Sequence, residues 1–283
     1  MCGNACNGAE VDRLLGDVQP DLIFADPPYG IGIDAWDKAI EDIPLFLEIV
    51  ARHLKQGGFF AFTQQMPQML VWLNALEDTP LAYKDHIVWV KRVHTSPALP
   101  LTRAHESLFI YAHGKATYHQ TKGPYSDVKV PGLQFDLITI EGIQTYISDL
   151  HLKIKGTGKP RIDNGHKHSS YAYLVKPGDR SPEYTNFSNV WSFLAENHSR
   201  MGSNHAHATV KPVKLLGRLL MLCTPECATV YDAFLGSGTT LLAAERQKRT
   251  CYGMELSPMA CEDIIRRWQK LTCQQAIRLE GER

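Results

Sequence analysis

Short apolar runs alternate with helical spacing over the first third of the chain. Residues 21–25 form an apolar run cut off by Pro27-Pro28, which predicts a buried strand. Residues 42–55 space Leu45, Leu47, Ile49, Val50 and Leu54 as a helix and stop before Gly57-Gly58. Residues 58–63 read as a second buried strand, and 66–76 as a helix with Pro67 in its first turn. Residues 86–90 and 108–111 complete this part as strands. Strands alternating with helices predict an α/β fold with a mostly parallel sheet.

The pattern fails from about residue 114 to residue 208. This stretch is rich in Gly, Pro, Ser, Asn, His and Lys, and only 140–150 keeps a helical spacing. Regular patterning returns at Lys211. Pro212 opens a helix with Val213, Leu216, Leu219 and Leu220 on one face. A strand at 229–233, a helix at 240–247 and a strand at 250–255 follow. Ser257 caps a last helix that starts at Pro258. The expected organisation is one α/β domain in two halves, 1–113 and 209–283, with an insertion at 114–208.

Composition adds limits. With 283 residues, 44% hydrophobic and 21% charged, the chain reads as an ordinary globular protein that can bury a core without staples. Thirty basic residues balance thirty acidic ones, which excludes a uniformly basic surface but not a local patch. Such a patch exists: 151–180 carries Lys153, Lys155, Lys159, Arg161, Lys167, Lys176 and Arg180 against Asp163 and Asp179. Tyr171 and Tyr173 sit between these charges. Seven scattered cysteines include no Cys-x-x-Cys pair. Cys2 with Cys6 and Cys223 with Cys227 have a spacing that zinc could use, but reduced thiols are the simpler expectation, and no metal is expected. No apolar run reaches about 18 residues, and residues 1–10 lack the pattern of a signal peptide, so a cytoplasmic location without membrane contact is expected.

Two motifs carry chemistry. The first is Asp232-Ala233-Phe234-Leu235-Gly236-Ser237-Gly238-Thr239-Thr240, between a strand and a helix. Its glycines allow a tight turn and close approach of a ligand, and the helix start offers free N–H groups. About twenty residues on, Glu255 ends the next strand, where an acid can accept from both ribose hydroxyls of a nucleoside. The loop lacks the Lys of a phosphate-binding loop and a third glycine, so a nucleoside without pyrophosphate fits better than ATP or NAD. The bland alternative is a plain strand-to-helix turn.

The second motif is Asp26-Pro27-Pro28-Tyr29, at the C-terminal end of the first strand, the edge where open α/β sheets bind ligands. An exocyclic base amine is a poor nucleophile because its lone pair is delocalised into the ring. The Asp26 carboxylate and the Pro27 carbonyl can each accept one of its N–H groups and so aim the lone pair. The prolines fix the backbone, and Tyr29 offers a face for an extruded base. An Asp turn ending a strand is the alternative.

With these two motifs the chain resembles the DNA amino-methyltransferases, whose catalytic Asp-Pro-Pro-Tyr and cofactor Phe-x-Gly-x-Gly segments they match. Thr209-Val210-Lys211-Pro212 looks like the family's Thr-x-Lys-Pro segment, and Gly253-Met254-Glu255-Leu256 like its second cofactor motif. Gly3-Asn4-Ala5 sits where members carry Gly-Asp-Ala beside the cofactor adenine, with Asn4 in place of Asp. The catalytic motif precedes the cofactor loop, as in the β class, which implies a circularly permuted Rossmann-like fold with a mixed, mostly parallel sheet and an inserted target recognition region. The resemblance implies S-adenosyl-L-methionine as cofactor, held by Asn4, Ala5, Asp26, Lys211, Asp232, Phe234, Leu235, Gly236, Ser237, Gly238, Thr239, Thr240, Glu255 and Leu256. It implies duplex DNA as substrate and catalysis by Asp26, Pro27, Pro28 and Tyr29; a homodimer and a cognate restriction nuclease are compatible with it, and the sequence leaves both open. Lys153, Lys155, Lys159, Arg161 and Lys167 are the expected DNA contacts. The leading Asp points to adenine N6, since cytosine-N4 members more often carry Ser there. Cytosine N4, and a non-catalytic DNA-binding subunit of the same fold, are the rival expectations.

Overall fold

The computed structural model describes residues 1–30, 39–90, 105–119, 122–124, 184–186, 189–193 and 210–279. The chain divides into two compact units, Met1–Gln120 with Phe193–Arg283, and Thr121–Ser192. The first unit starts with α1 (Gly8–Leu15), β1 (Leu22–Ala25), α2 (Ile43–His53), β2 (Phe59–Gln64), α3 (Gln68–Glu77), β3 (Leu81–Val90) and β4 (His105–His113). The second contributes the short strands β5 (Lys122–Pro124), β6 (Tyr184–Asn186) and β7 (Val190–Ser192), and β5 pairs antiparallel with β6. The first unit resumes with α4 (Val213–Cys223), β8 (Thr229–Asp232), α5 (Thr239–Arg246), β9 (Thr250–Gly253) and α6 (Pro258–Thr272).

Six strands of the first unit lie in the order β3-β4-β2-β1-β8-β9. β1 runs parallel to both β2 and β8, and β8 runs parallel to β9. Only β4 opposes its neighbours β2 and β3. The sheet is therefore mixed and mostly parallel, as the alternation of elements predicts. All four residues of β1 and all six of β2 are buried. That is why both appear in the sequence as continuous apolar runs rather than alternating ones. Ile23, Ala25, Phe60 and Phe62 share a core with Phe46 of α2 and Trp72 of α3. The Phe62 and Trp72 rings stack at 4.9 Å between centroids. Leu22 and Phe24, equally buried, face the opposite side by strand alternation.

The helix ends follow local chemistry. Asp42 accepts from the Leu45 N–H at 2.9 Å and caps α2. Ser257 accepts from the Ala260 N–H at 3.3 Å and caps α6, with Pro258 in the first turn. Three elements depart from the pattern-based expectation. α1 buries only Val11 and Leu15, too little to mark a helix in a polar stretch. β3 starts at Leu81, because Ala82, Tyr83 and Lys84 are exposed and mask its first half. β4 starts at His105 rather than Leu108. The helix expected at 140–150 lies outside the described residues. Among the described residues, no helix is long and apolar enough to cross a membrane.

Candidate active site

The strand register brings the two motifs to one sheet edge. β1 is aligned with β2 as Ala25↔Phe62, so Asp26 follows beside Thr63. It is aligned with β8 as Phe24↔Asp232, so the cofactor-type loop leaves the sheet next to Asp26. β4 runs the other way and aligns Ser107 with Gln64, so its start delivers Glu106 to the same edge.

Asp26 is held by three donors. Its Oδ1 accepts from the Thr63 hydroxyl and, at 3.1 Å, from the Tyr29 hydroxyl. Its Oδ2 accepts from Lys211 Nζ at 2.6 Å. Lys211 Nζ also lies 3.4 Å from Glu106 Oε2 and 5.6 Å from the Tyr29 ring centroid, a cation–π arrangement. Tyr29 Oη donates to Glu106 Oε2 at 3.4 Å. The Lys211 side chain is 8% exposed and that of Asp26 20%. Burial alone would lower the Lys211 ammonium, but Asp26, Tyr29 and the bonds to them raise it above its ordinary value. The Tyr29 hydroxyl is also raised, by burial and by the Asp26 charge, so at neutral pH it is a donor. Neither Thr63 nor Glu106 belongs to a sequence motif. Glu106 had one usable signal: a carboxylate at the start of the apolar run Leu108 to Ala112.

Lys211 joins the two motifs. Its side chain holds Asp26, and its backbone carbonyl accepts from the Thr239 hydroxyl at 3.1 Å, at the start of α5. The Ser237 and Thr239 hydroxyls lie 3.1 Å apart. The loop's shape needs its glycines: Gly236 has φ +54° and Gly238 φ +79°. A Cβ on Gly238 would also stand 2.9 Å from Ile264 Cγ2. The Leu235 N–H donates to the Met254 carbonyl at 2.9 Å and ties the loop to the end of β9.

Two acids flank the loop. Asp232 is 2% exposed, and its Oδ1 accepts from the Phe234 N–H at 3.0 Å. Burial pushes its carboxyl up to about 7, with Asp26 and Glu255 adding to the rise and bonds from Thr240 and the Phe234 N–H opposing it. Glu255 is locked by the Gly236 N–H and the Ser257 N–H, each at 2.9 Å. Leu256 beside it is 70% exposed. The Gly3 N–H donates to the Glu255 carbonyl at 2.9 Å, which brings Gly3-Asn4-Ala5 to this place. Asn4 Oδ1 accepts from the Cys6 N–H at 2.9 Å, while Ala5 is buried. Asp26, Tyr29 and Lys211 thus meet in one cluster, and Asp232, Phe234 to Thr240 and Glu255 form the adjoining loop. Lys153, Lys155, Lys159, Arg161 and Lys167 lie outside the described residues.

A family model for DNA methylases matches residues 20–266. The chain belongs to the DNA methylase family. This DNA methylase is 27% identical to the DNA adenine methyltransferase YhdJ of Escherichia coli K12 over 265 residues, 88% of this chain and 76% of the relative. Among solved structures it resembles the cytosine-N4-specific PvuII DNA methyltransferase, with a TM-score of 0.57 and 14% identity over 96% of this chain and 89% of that one. It also resembles TTHA0409 of Thermus thermophilus, a putative DNA modification methylase complexed with S-adenosyl-L-methionine. There the TM-score is 0.55 and the identity 17%, over 95% of this chain and 92% of that one. These likenesses establish that the methylase shares the fold of the S-adenosylmethionine-dependent DNA methyltransferases.

The donor set of the loop suits that cofactor. A cation beside the buried Asp232 favours its ionised form, and the fixed Glu255 carboxylate keeps lone pairs for a ribose diol. Among its described residues, the loop from Asp232 to Thr240 has no Lys or Arg to meet a pyrophosphate.

Proposed function

We propose that this methylase transfers a methyl group from S-adenosyl-L-methionine to N6 of adenine in duplex DNA, after the base leaves the stack. The observation that carries the reading is the Asp26 carboxylate, held by Thr63, Tyr29 and Lys211 next to the glycine loop. When bound, the cofactor supplies a methyl group already activated by its sulfonium. The protein's task is then positioning. Asp26 and the Pro27 carbonyl orient the amine, and Tyr29 gives the base a surface. Asp232, Glu255 and the loop from Phe234 to Thr240 hold the cofactor, with Asn4, Ala5 and Leu256 at its adenine end. The carboxylate at position 26 favours adenine over cytosine, and the adenine-specific relative YhdJ supports the same choice. Nucleoside mass analysis of DNA from cells expressing the chain tests it. N6-methyladenine supports the reading, and N4-methylcytosine in its place overturns it.

Asp232 makes cofactor binding pH-dependent. Its carboxyl titrates near 7 in the free protein, and a bound cation prefers the carboxylate. Affinity for S-adenosyl-L-methionine should therefore rise from pH 6 to pH 8, with up to about one proton released per molecule bound at the acid end. Asp232→Asn should bind more weakly and lose this dependence. The sign for stability is opposite: the folded value is raised, so this group favours folding below its ordinary value of 3.8 and loses that contribution as pH rises through about 7. Calorimetric titration across this range checks the claim, and a flat wild-type profile would count against it.

The insertion at 114–208 is assigned to DNA. Changing Lys153, Lys155 and Arg161 together to Ala should weaken binding and reduce the salt slope of log K by about 2 to 3. Equilibrium binding at several salt concentrations measures this. An unchanged slope would remove the assignment.

A further inference from the structure

Two thiols flank the segment between β9 and α6. Cys2 pairs with Glu255 in a parallel bridge, and its Sγ lies 3.7 Å from the Leu256 carbonyl oxygen. Cys261, near the start of α6, has its Sγ 3.7 Å from the Glu255 carbonyl oxygen. The thiols thus sit on adjacent carbonyls and are close enough to interact directly. Cys2 is exposed and Cys261 partly buried. The N-terminal segment is lightly anchored at this place. The Glu255 N–H donates to the Met1 carbonyl at 3.1 Å, and the Gly3 N–H to the Glu255 carbonyl at 2.9 Å. The helix that follows, α1, buries only Val11 and Leu15. A segment with so little buried apolar surface opens locally at low cost. It carries Asn4 and Ala5, which the reading above puts at the adenine end of the cofactor.

We propose that Cys2 and Cys261 are a redox pair: hydrogen peroxide converts them to a disulfide that fastens the N-terminal segment to the start of α6 and tightens S-adenosyl-L-methionine binding. The chemistry balances in two steps. The Cys2 sulfur attacks the peroxide, the O–O bond breaks, and Cys2 becomes a sulfenic acid as one water leaves. The Cys261 sulfur then attacks the Cys2 sulfur, the S–S bond forms, and the hydroxyl leaves as a second water. The thiols are oxidised and the peroxide is reduced. Burial, then the Cys2 thiol and the Glu255 charge, pushes the Cys261 thiol up to about 11. A thiol held up in this way reacts slowly with an outside oxidant, so the exposed Cys2 meets the peroxide first. A fastened segment has less freedom left to lose when the cofactor arrives, which strengthens binding. The tightening rests on the placement of Asn4 and Ala5 in the reading above, and the disulfide itself does not.

The test treats the purified full chain with hydrogen peroxide, alkylates the remaining thiols and maps the peptides. Calorimetric titration with S-adenosyl-L-methionine is run before and after oxidation. Oxidised wild type should carry a link between Cys2 and Cys261 that dithiothreitol removes, and its Kd for the cofactor should fall about threefold to tenfold. Cys2→Ser and Cys261→Ser should show neither change, and when reduced should bind the cofactor as wild type does. Peroxide that leaves both thiols free, or joins either to another cysteine, overturns the pair. A link that forms while Kd stays the same or rises overturns its action on the cofactor. Reduced wild type that binds no S-adenosyl-L-methionine would instead defeat the cofactor placement, while the peptide map still decides the disulfide.

Discussion

Asp26→Ala is expected to lower methyl transfer by at least about a hundredfold while S-adenosyl-L-methionine stays bound. The magnitude follows from what the side chain does. A base amine has its lone pair in the ring system, and only an acceptor fixed in advance can turn it toward the methyl group. Removal of one preorganised polar group from an active site typically costs about a hundredfold to a thousandfold. Asp26 is preorganised by three donors, from Thr63, Tyr29 and Lys211, so its loss also frees the groups around it. In the proposed reading the cofactor is held mainly by Asp232, Glu255 and the glycine loop, whose own bonds do not involve Asp26. Transfer assays paired with cofactor titration separate the two effects. Equal losses in both would mean that Asp26 supports the cofactor rather than the amine.

Lys211→Met should be the more damaging change for the fold. It leaves the Asp26 and Glu106 carboxylates at one buried place without their shared cation. Loss of one member of a buried ion pair costs about 3–5 kcal/mol. The Lys211 ammonium is raised above its ordinary 10.5, so its contribution is complete below that value and fades only as pH rises through the higher folded one. The cost therefore persists across the neutral range. Urea unfolding of both proteins at pH 7 measures it. A loss below about 1 kcal/mol would show that water or another group replaces the lysine. Methyl transfer should fall with stability, because the same residue ties Asp26 to Thr239 at the start of α5.

How much of this was legible in the sequence depended on burial. β1, β2 and β8 are short and covered, so their apolar runs stood out. Asp26 and the loop from Asp232 to Thr240 were legible because rare residue types follow such runs. Lys211 was found by resemblance, but its bond to Asp26 was not, since 185 residues separate the two along the chain. Thr63 gave no signal, as a threonine at a strand end is ordinary. Glu106 lay next to a legible run and was passed over, because periodicity looks for apolar positions and not for the buried charge among them. α1 was missed for the opposite reason: a helix that buries only Val11 and Leu15 differs little from a polar loop.

The most direct measurement is methyl transfer by the purified chain from labelled S-adenosyl-L-methionine to unmethylated duplex DNA, with the product base identified and Asp26→Ala run beside wild type. The account predicts label in N6-methyladenine with wild type and almost none with the variant. Label in another base, or equal label with both proteins, would contradict it.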